Sequence, residues 1–263
     1  MKASEVMDVL FGFGGDGDYS NTCDTLKAGD PNVEVTKAAV TMFPTVEVIK
    51  KAHEWGAQLL VVHEPTYYKH MDEHANEKIE CLKRELLEST GMAVYRFHDH
   101  PHYNVPDIIT TGVLNALKPE GEIVRTDLFD TTRIILSTPT SPVDFARLIE
   151  ERLGIRHVRI CGTRDALCTN VSVMVGSPGG IMEELCREET EILLIGEGCE
   201  WAQGEYARDA AALGYKKALL FLGHAGSERA GMEYTAELLQ EKCPQLDVRY
   251  FEGGEVYTYT DSE

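Results

Sequence analysis

Short apolar runs alternate with amphipathic stretches along most of the chain, a pattern typical of alternating strands and helices. In the first part of the chain, VEVTKAAV (33–40), LLVV (59–62) and MAVYRF (92–97) predict strands. Between them, PTVEVIKKAHEWG (44–56) and a stretch near 72–90 predict helices, the first opened by a proline and capped by a glycine. Such a β-α-β-α-β series favours parallel strands joined by right-handed crossovers.

The same alternation returns in the last third of the chain. Helices are expected near 200–213 and 228–241, and the predicted strands are VSVMVG (171–176), EILLIG (191–196), ALLFLG (218–223) and VRYFEG (248–253). This second series again predicts an α/β arrangement with parallel strands.

The middle of the chain differs from both. TTRIILS (131–137) and IRHVRICG (155–162) predict strands on either side of a helix over SPVDFARLIEERLG (141–154). The predicted fold class is therefore α/β, with two related halves that contain parallel-rich sheets and a small α+β lobe inserted between them. The expected divisions are a first half over 1–119, the lobe over 120–170 and a second half over 171–263.

Composition narrows the classes of function. Hydrophobic residues make up 43% of the chain and charged residues 26%, which is ordinary for a globular protein. The formal net charge of −19 would repel phosphate backbones and anionic lipid, so we expect no nucleic-acid or membrane partner. No apolar run approaches the roughly 20 residues of a membrane span, and the N-terminal residues resemble no targeting signal. These features predict a cytoplasmic protein.

The seven cysteines are odd in number and form no CxxC pair, which argues against a disulfide framework or a zinc ribbon. We expect reduced, mostly buried thiols. They lie at positions 23, 81, 161, 168, 186, 199 and 243.

Potential metal ligands follow three of the predicted strands. His63 and Glu64 follow LLVV, the segment HDHPH (98–102) follows MAVYRF, and His224 follows ALLFLG, with Glu228 one helical turn later. A single histidine after a strand is more often a hydrogen-bonded surface residue, and HxxxE alone is a weak pattern. Because the carboxyl ends of parallel strands meet at one edge of a sheet, the three together predict a site for divalent metal ions.

Other motifs are better explained by structure. FGFGGDG (11–17) follows a predicted helix rather than a strand, which favours a mobile loop over a dinucleotide fingerprint. GSPGG (176–180) precedes a helix and could hold an anion, but backbone packing is the favoured interpretation. Ser227 is expected to cap the last helix, and His70 and His74 are expected to be solvated.

Several motifs together resemble the Nif-three-like (NGG-one-interacting factor three-like) dinuclear metal-centre family, also known as type-two homologues of GTP cyclohydrolase I. The resemblance rests on CDTLKAGDP (23–31), VEVIKKAHEWGA (46–57), GSPGG, IGE (195–197) and GHAGSE (223–228), and on a strand that ends in HEP. It extends from about residue 20 to 250.

The resemblance implies a ligand set with two departures from the family pattern. Where the family pairs two histidines, this chain has His63 and Glu64, and where the family has H-x-x-x-D, it has His98 and His102. One histidine has become a carboxylate and one carboxylate has become a histidine, so the set still has three imidazoles and two carboxylates. The implied metal ligands are His63, Glu64, His102, His224 and Glu228.

Two neighbours of His102 have open roles. Asp99 competes with His102 for the ligand position, and the sequence alone does not decide between them. His98 is expected to orient a ligand or substrate. As catalytic residues, His98 and Asp99 could instead move protons.

The resemblance further implies a ring-shaped homohexamer, a trimer of dimers. The implied donors, three imidazoles and two carboxylates, favour two ions of Zn²⁺, Mn²⁺, Fe²⁺, Co²⁺ or Ni²⁺ over Cu(I), iron–sulfur clusters or Ca²⁺. The leading hypothesis is a metal-dependent hydrolase acting on a small phosphorylated or heterocyclic substrate, as a GTP cyclohydrolase would. The alternatives are a metal-binding scaffold, a metallochaperone or a regulatory adaptor without catalysis, or a site that no longer binds metal.

Overall fold

The computed structural model describes residues 1–125 and 131–260. The chain divides into two compact units. The first unit contains Met1–Ile109 and the chain from Gly231 onward, and the second contains Thr110–Ala230. No helix among the described residues is long and apolar enough to cross a membrane.

The β-α-β-α-β series predicted over residues 33–97 forms, together with elements that the hydrophobic pattern did not predict. Up to residue 117 they are α1 (Ala3–Phe11), β1 (Leu26–Ala28), β2 (Lys37–Thr41), α2 (Val46–Trp55), β3 (Leu59–Val62), α3 (Lys78–Thr90), β4 (Ala93–Arg96), α4 (Asp99–Tyr103) and α5 (Ile108–Leu117).

The remaining elements include a π-helical turn at Glu200–Gly204 that runs directly into a helix. They are β5 (Gly121–Arg125), β6 (Thr132–Thr140), α6 (Pro142–Leu153), β7 (Arg159–Gly162), β8 (Cys168–Met174), α7 (Ile181–Leu185), β9 (Ile192–Ile195), α8 (Glu205–Ala212), β10 (Ala218–Phe221), α9 (His224–Lys242) and β11 (Asp247–Tyr250).

The first unit contains a five-stranded sheet in the order β1-β4-β3-β2-β11. Strands β4, β3, β2 and β11 are parallel, and β1 runs antiparallel at the edge. Every residue of β3 is buried, as expected for a continuous apolar strand covered on both faces. Because β3 and β4 are parallel neighbours, the residues that follow Val62 and Arg96 emerge side by side.

The second unit contains a six-stranded sheet in the order β5-β6-β8-β9-β10-β7, in which β8, β9 and β10 are parallel. The prediction of an α/β fold with two halves is confirmed. The strand–helix–strand segment expected between 120 and 170 also forms, but its strands belong to this sheet: β6 pairs with β8, and β7 pairs with β10. Two strands and a helix bury little apolar surface alone, so pairing with a larger sheet is favoured.

The unit boundaries consequently differ from those expected at 119/120 and 170/171. They fall at 109/110 and 230/231, inside helices α5 and α9. The last strand pairs with β2 of the first sheet, which returns the end of the chain to the first unit.

Two helices begin at other positions than expected. Helix α3 starts at Lys78 rather than near residue 72, because Asp72 and Asn76 have left-handed backbone conformations. Helix α9 starts at His224, so Ser227 lies in its first turn and is not the cap. The Ser227 hydroxyl donates to the His224 carbonyl and accepts from the Gly176 N–H.

Candidate metal centre

His63 is the first ligand candidate of the first unit. It directly follows β3, and its side chain is fully buried. Its Nδ1 lies 3.0 Å from the carbonyl oxygen of Phe97, which directly follows the neighbouring strand β4. Because a carbonyl only accepts hydrogen bonds, Nδ1 carries the proton and the lone pair is on Nε2.

His102 on α4 is held in the same way by a carboxylate. Its Nδ1 lies 2.8 Å from Asp107 Oδ2, and its Nε2 lies 3.3 Å from Nε2 of His63. A carboxylate that accepts a hydrogen bond from one ring nitrogen of a histidine fixes the tautomer and the ring orientation, which leaves the other nitrogen to bind a metal ion. The two Nε2 lone pairs therefore point toward each other, and a proton or a metal cation between them removes their repulsion.

The spacing of these nitrogen atoms fits a metal ion. Two imidazole nitrogens bound at 2.0–2.1 Å in tetrahedral geometry are about 3.3–3.4 Å apart. The observed distance between the Nε2 atoms of His63 and His102 is 3.3 Å. Together with His98, they form a group whose ligand atoms all lie within 4.8 Å of one another.

The Asp99 carboxylate is held by Thr22, Cys23 and His98. Asp99 Oδ2 accepts hydrogen bonds from the Thr22 hydroxyl at 2.7 Å and from the Cys23 N–H at 3.2 Å, and Oδ1 lies 2.9 Å from His98 Nδ1. Burial acts to raise the pKa of Asp99, but the hydrogen bonds, that of His98 foremost, outweigh it and lower the pKa well below its usual value. Asp99 is thus an ionised partner of His98.

The segment HDHPH is anchored by Asp24, which belongs to CDTLKAGDP. The Asp24 carboxylate accepts hydrogen bonds from the backbone N–H groups of His98, Asp99 and His100 at the start of α4. Its Oδ2 also lies 2.6 Å from His100 Nδ1. Burial acts to raise the pKa of Asp24, but the hydrogen bonds from the His100 side chain and from the backbone lower it overall. The motif therefore positions the residues around His102.

Glu64 is buried beside a guanidinium group. Arg96, which ends β4 and is fully buried, has Nη2 3.7 Å from Glu64 Oε2. The Arg96 Nε–H also donates to the His63 carbonyl at 3.0 Å. A buried carboxylate is stable only with such a positive partner or a metal ion nearby, so Arg96 supports the glutamate that stands where the family has a histidine.

The glycine-rich loop FGFGGDG packs against α4. A Cβ on Gly15 would lie 2.0 Å from the Tyr103 carbonyl oxygen, so only glycine allows this approach. Tyr19, just after the loop, stacks on the His100 ring with 4.0 Å between ring centroids. The glycines thus serve packing around the histidine segment.

His70 and His74 are both exposed, as expected, and each also contacts a neighbouring side chain. The exposed His70 has its ring centroid 5.6 Å from that of His98, in an edge-to-face arrangement. His74 is half-exposed, and its Nδ1 lies 3.0 Å from Glu80 Oε1. The loop that follows β3 therefore contributes His70 to the edge of the histidine cluster.

The second unit contains His224 and Glu228, one turn apart at the start of α9. His224 Nε2 lies 3.2 Å from Glu228 Oε2, and His224 Nδ1 lies 3.5 Å from Glu197 Oε1. The turn GSPGG approaches this pair closely, because a Cβ on Gly176 would lie 2.2 Å from Glu228 Oε1. The turn thus packs its backbone against the carboxylate, in agreement with the interpretation favoured from the sequence.

Sequence reasoning did not identify several of these residues. Asp24 lies inside the motif CDTLKAGDP, and only that motif drew attention to it in the sequence. Asp107 lies outside the motifs quoted above, and Glu197 ends the motif IGE, which gave no sign of its contact with His224. In the sequence, Arg96 looks like any other residue of a predicted strand.

Comparisons with known proteins agree with this fold. The family model Duf34/NIF3 (NGG1p interacting factor 3) matches residues 18–253. One relative, a GTP cyclohydrolase 1 type 2 homolog from Clostridium perfringens, is 20% identical over 227 residues, or 82% of each chain.

Solved structures match over nearly the full length. A hypothetical protein from Staphylococcus aureus superposes with a TM-score of 0.76 at 17% identity, covering 98% of this chain and 99% of its own. Reduced HcgD from Methanocaldococcus jannaschii gives 0.73 at 17% identity, with 95% and 97% coverage. A Bacillus cereus protein related to NIF3 gives 0.73 at 14% identity, with 100% and 99% coverage. At these identities the structures show a shared fold. Because the family model covers most of its length, the chain belongs to the Duf34/NIF3 (NGG1p interacting factor 3) family.

Proposed function

We propose that this chain binds two divalent transition-metal ions and acts as a metal-dependent hydrolase. The facing Nε2 atoms of His63 and His102, 3.3 Å apart with each Nδ1 held by an acceptor, carry the proposal. The donor types suit Zn²⁺, Mn²⁺, Fe²⁺, Co²⁺ or Ni²⁺. The residues that would hold the ions are His63, Glu64, His102, His224 and Glu228.

The residues around these ligands have distinct roles in this proposal. When bound, the ions supply Lewis-acid activation of water and of the reacting group. Asp107 and the Phe97 carbonyl orient the imidazoles through Nδ1. Ionised Asp99 holds His98 Nδ1, which leaves His98 Nε2 to accept or donate a proton during hydrolysis.

The proposed substrate class is a small phosphorylated or heterocyclic molecule. Two metal cations would reverse the local sign of a chain whose net charge is −19, and so allow an anionic substrate. The name of the Clostridium perfringens relative makes hydrolytic opening of a purine ring one reaction to test. Metal binding without turnover would favour the scaffold or metallochaperone alternative.

The test combines metal content with hydrolysis. We expect close to two ions per chain after incubation with Zn²⁺ or Mn²⁺ at neutral pH, and loss of most of this occupancy in Glu228→Gln. Glu237→Gln is the matched control, because Glu237 is exposed on the same helix. The loaded protein and both variants are then assayed on phosphoesters, nucleotides and cyclic amides.

Each proposal has its own contradicting result. Less than half an ion per chain in the wild-type protein would contradict the metal centre. Full occupancy with no turnover above the Glu228→Gln background would contradict the hydrolase.

A further inference from the structure

A buried thiol lies beside the histidine cluster. Cys23 is 1% exposed, and its thiol donates to Asp99 Oδ1 at 3.5 Å and to Asp24 Oδ1 at 3.6 Å. His98 Nδ1 lies 2.9 Å from the same Asp99 oxygen. One sulfur, one imidazole nitrogen and one carboxylate oxygen thus converge, and all three lie within 4.8 Å of one another.

We propose that Cys23, His98 and Asp99 form a further metal site, one with a sulfur ligand, which takes Zn²⁺ or another thiol-seeking divalent cation. Three protein ligands of these types leave a fourth tetrahedral position open. The site lies within the first unit and includes none of the five ligands of the proposed dinuclear centre. It therefore goes beyond the proposed function.

The charges around the thiol favour a cation. The Asp24 and Asp99 carboxylates both accept from the thiol, at 3.6 Å and 3.5 Å. Two carboxylates this close to the sulfur stabilise a cation bound there, and a coordinating metal ion deprotonates a thiol outright.

The two distances that involve Asp99 need only a small change. Ligands at about 2.3 Å for sulfur and about 2.1 Å for oxygen are roughly 3.6 Å apart in a tetrahedral site, and nitrogen and oxygen are roughly 3.4 Å apart. The observed distance from Cys23 Sγ to Asp99 Oδ1 is 3.5 Å. The 2.9 Å between His98 Nδ1 and Asp99 Oδ1 would lengthen as their hydrogen bond is replaced.

Metal binding has a defined proton balance. The Cys23 thiol proton is released to solvent, and neutral His98 exchanges its Nδ1 proton for one on Nε2. A metal ion reaches the site from the solvent side, where about a fifth of the His98 and Asp99 side chains is exposed. An ion here occupies His98, to which proton transfer is assigned, and its partner Asp99, so occupancy of this site would inhibit the proposed hydrolysis.

The experiment uses Co²⁺ as a spectroscopic probe, titrated into the metal-free full chain under a reductant that contains no thiol. Sulfur ligation produces a thiolate-to-cobalt charge-transfer band in the near ultraviolet, which histidine and carboxylate ligands do not produce. We expect this band in the wild-type protein and its loss in Cys23→Ser. Cys243→Ser is the matched control, because Cys243 is also free, buried and in the first unit.

Further variants separate this site from the dinuclear centre. Glu228→Gln should keep the charge-transfer band even though it loses the proposed dinuclear occupancy. Asp99→Asn should weaken Co²⁺ binding at the thiolate site by about tenfold or more. No charge-transfer band in the wild-type protein, or a band that persists in Cys23→Ser, would overturn the proposal. If Cys23→Ser does not fold, X-ray absorption of the Zn²⁺-loaded wild-type protein decides, since a sulfur neighbour at about 2.3 Å is then required.

Discussion

At the scale of single residues, hydrogen bonds to Nδ1 decide how the candidate ligands face. The Phe97 carbonyl holds His63, Asp107 holds His102, and Glu197 lies 3.5 Å from Nδ1 of His224. The contacts of Phe97 and Asp107 place the lone pairs of His63 and His102 on Nε2 when the rings are neutral. Substitutions of these supporting residues therefore test the metal centre directly, and they need no knowledge of the substrate.

Asp107→Asn should weaken metal binding about 10- to 100-fold, because the neutral amide holds the His102 ring less firmly and lowers its basicity. Isothermal titration with Zn²⁺ measures the effect. Asp16→Asn, at an exposed position of the first unit, should leave the affinity unchanged. Equal affinities in all three proteins would show that His102 is not a ligand.

Gly176→Ala should destabilise the second unit by about 1–3 kcal/mol, since Gly176 has φ of +67° and its added Cβ would displace the Glu228 carboxylate. Metal occupancy should fall together with the stability. Gly179→Ala is the matched control in the same turn, because its Cβ would meet nothing within 4 Å. Urea unfolding and elemental analysis measure the two effects. An unchanged Gly176→Ala variant would mean that the close approach of turn and carboxylate does not matter.

At the scale of elements, the loop between β3 and α3 is held by buried charges. Lys27 Nζ lies 3.3 Å from Asp72 Oδ2, and Arg96 donates to the His70 carbonyl. Lys83 of α3 is 4% exposed and packs its ammonium group over the Tyr68 ring. Burial lowers the pKa of Lys83 to about 8, although nearby Asp72 acts in the opposite direction.

The lowered pKa of Lys83 predicts a pH dependence of stability. Between about pH 8 and pH 10.4 the unfolded chain holds the Lys83 proton and the folded chain does not, so this residue makes stability rise with pH. Lys83→Met should therefore stabilise the protein at neutral pH by a few kcal/mol and remove this rise. Urea unfolding at neutral pH and at about pH 9.5 measures both.

The control for this prediction is Lys78→Met, an exposed position on the same helix. It should keep the wild-type pH dependence. If Lys83→Met is less stable than the wild-type protein at neutral pH, the contact between the ammonium group and Tyr68 outweighs the cost of burial.

At the scale of the whole molecule, the assembly stays a prediction. The resemblance of the motifs implies a ring of six chains, and we expect a mass six times the 29.3 kDa of one chain. Light scattering coupled to gel filtration at micromolar concentration checks this expectation. A monomer under those conditions would contradict it. High salt should not dissociate the ring, since screening reduces repulsion between chains that each carry −19.

The sequence by itself determined the two series of alternating strands and helices, the α/β class and the residues that follow the parallel strands. These features are local: apolar runs predict strands, and Gly56 ends α2 in the left-handed conformation expected of a glycine cap. The spacing of His224 and Glu228 on one helical turn is local too.

Only the tertiary structure decided which groups support the ligands and which strands pair. Asp24 and Cys23 reach α4 across more than 70 residues of sequence, and Arg96 reaches the His63 carbonyl across 33. The strands expected in a separate lobe joined the second sheet because unpaired edges favour further pairing. Such contacts depend on where distant segments pack, and the period of hydrophobic residues along the chain contains no information about that.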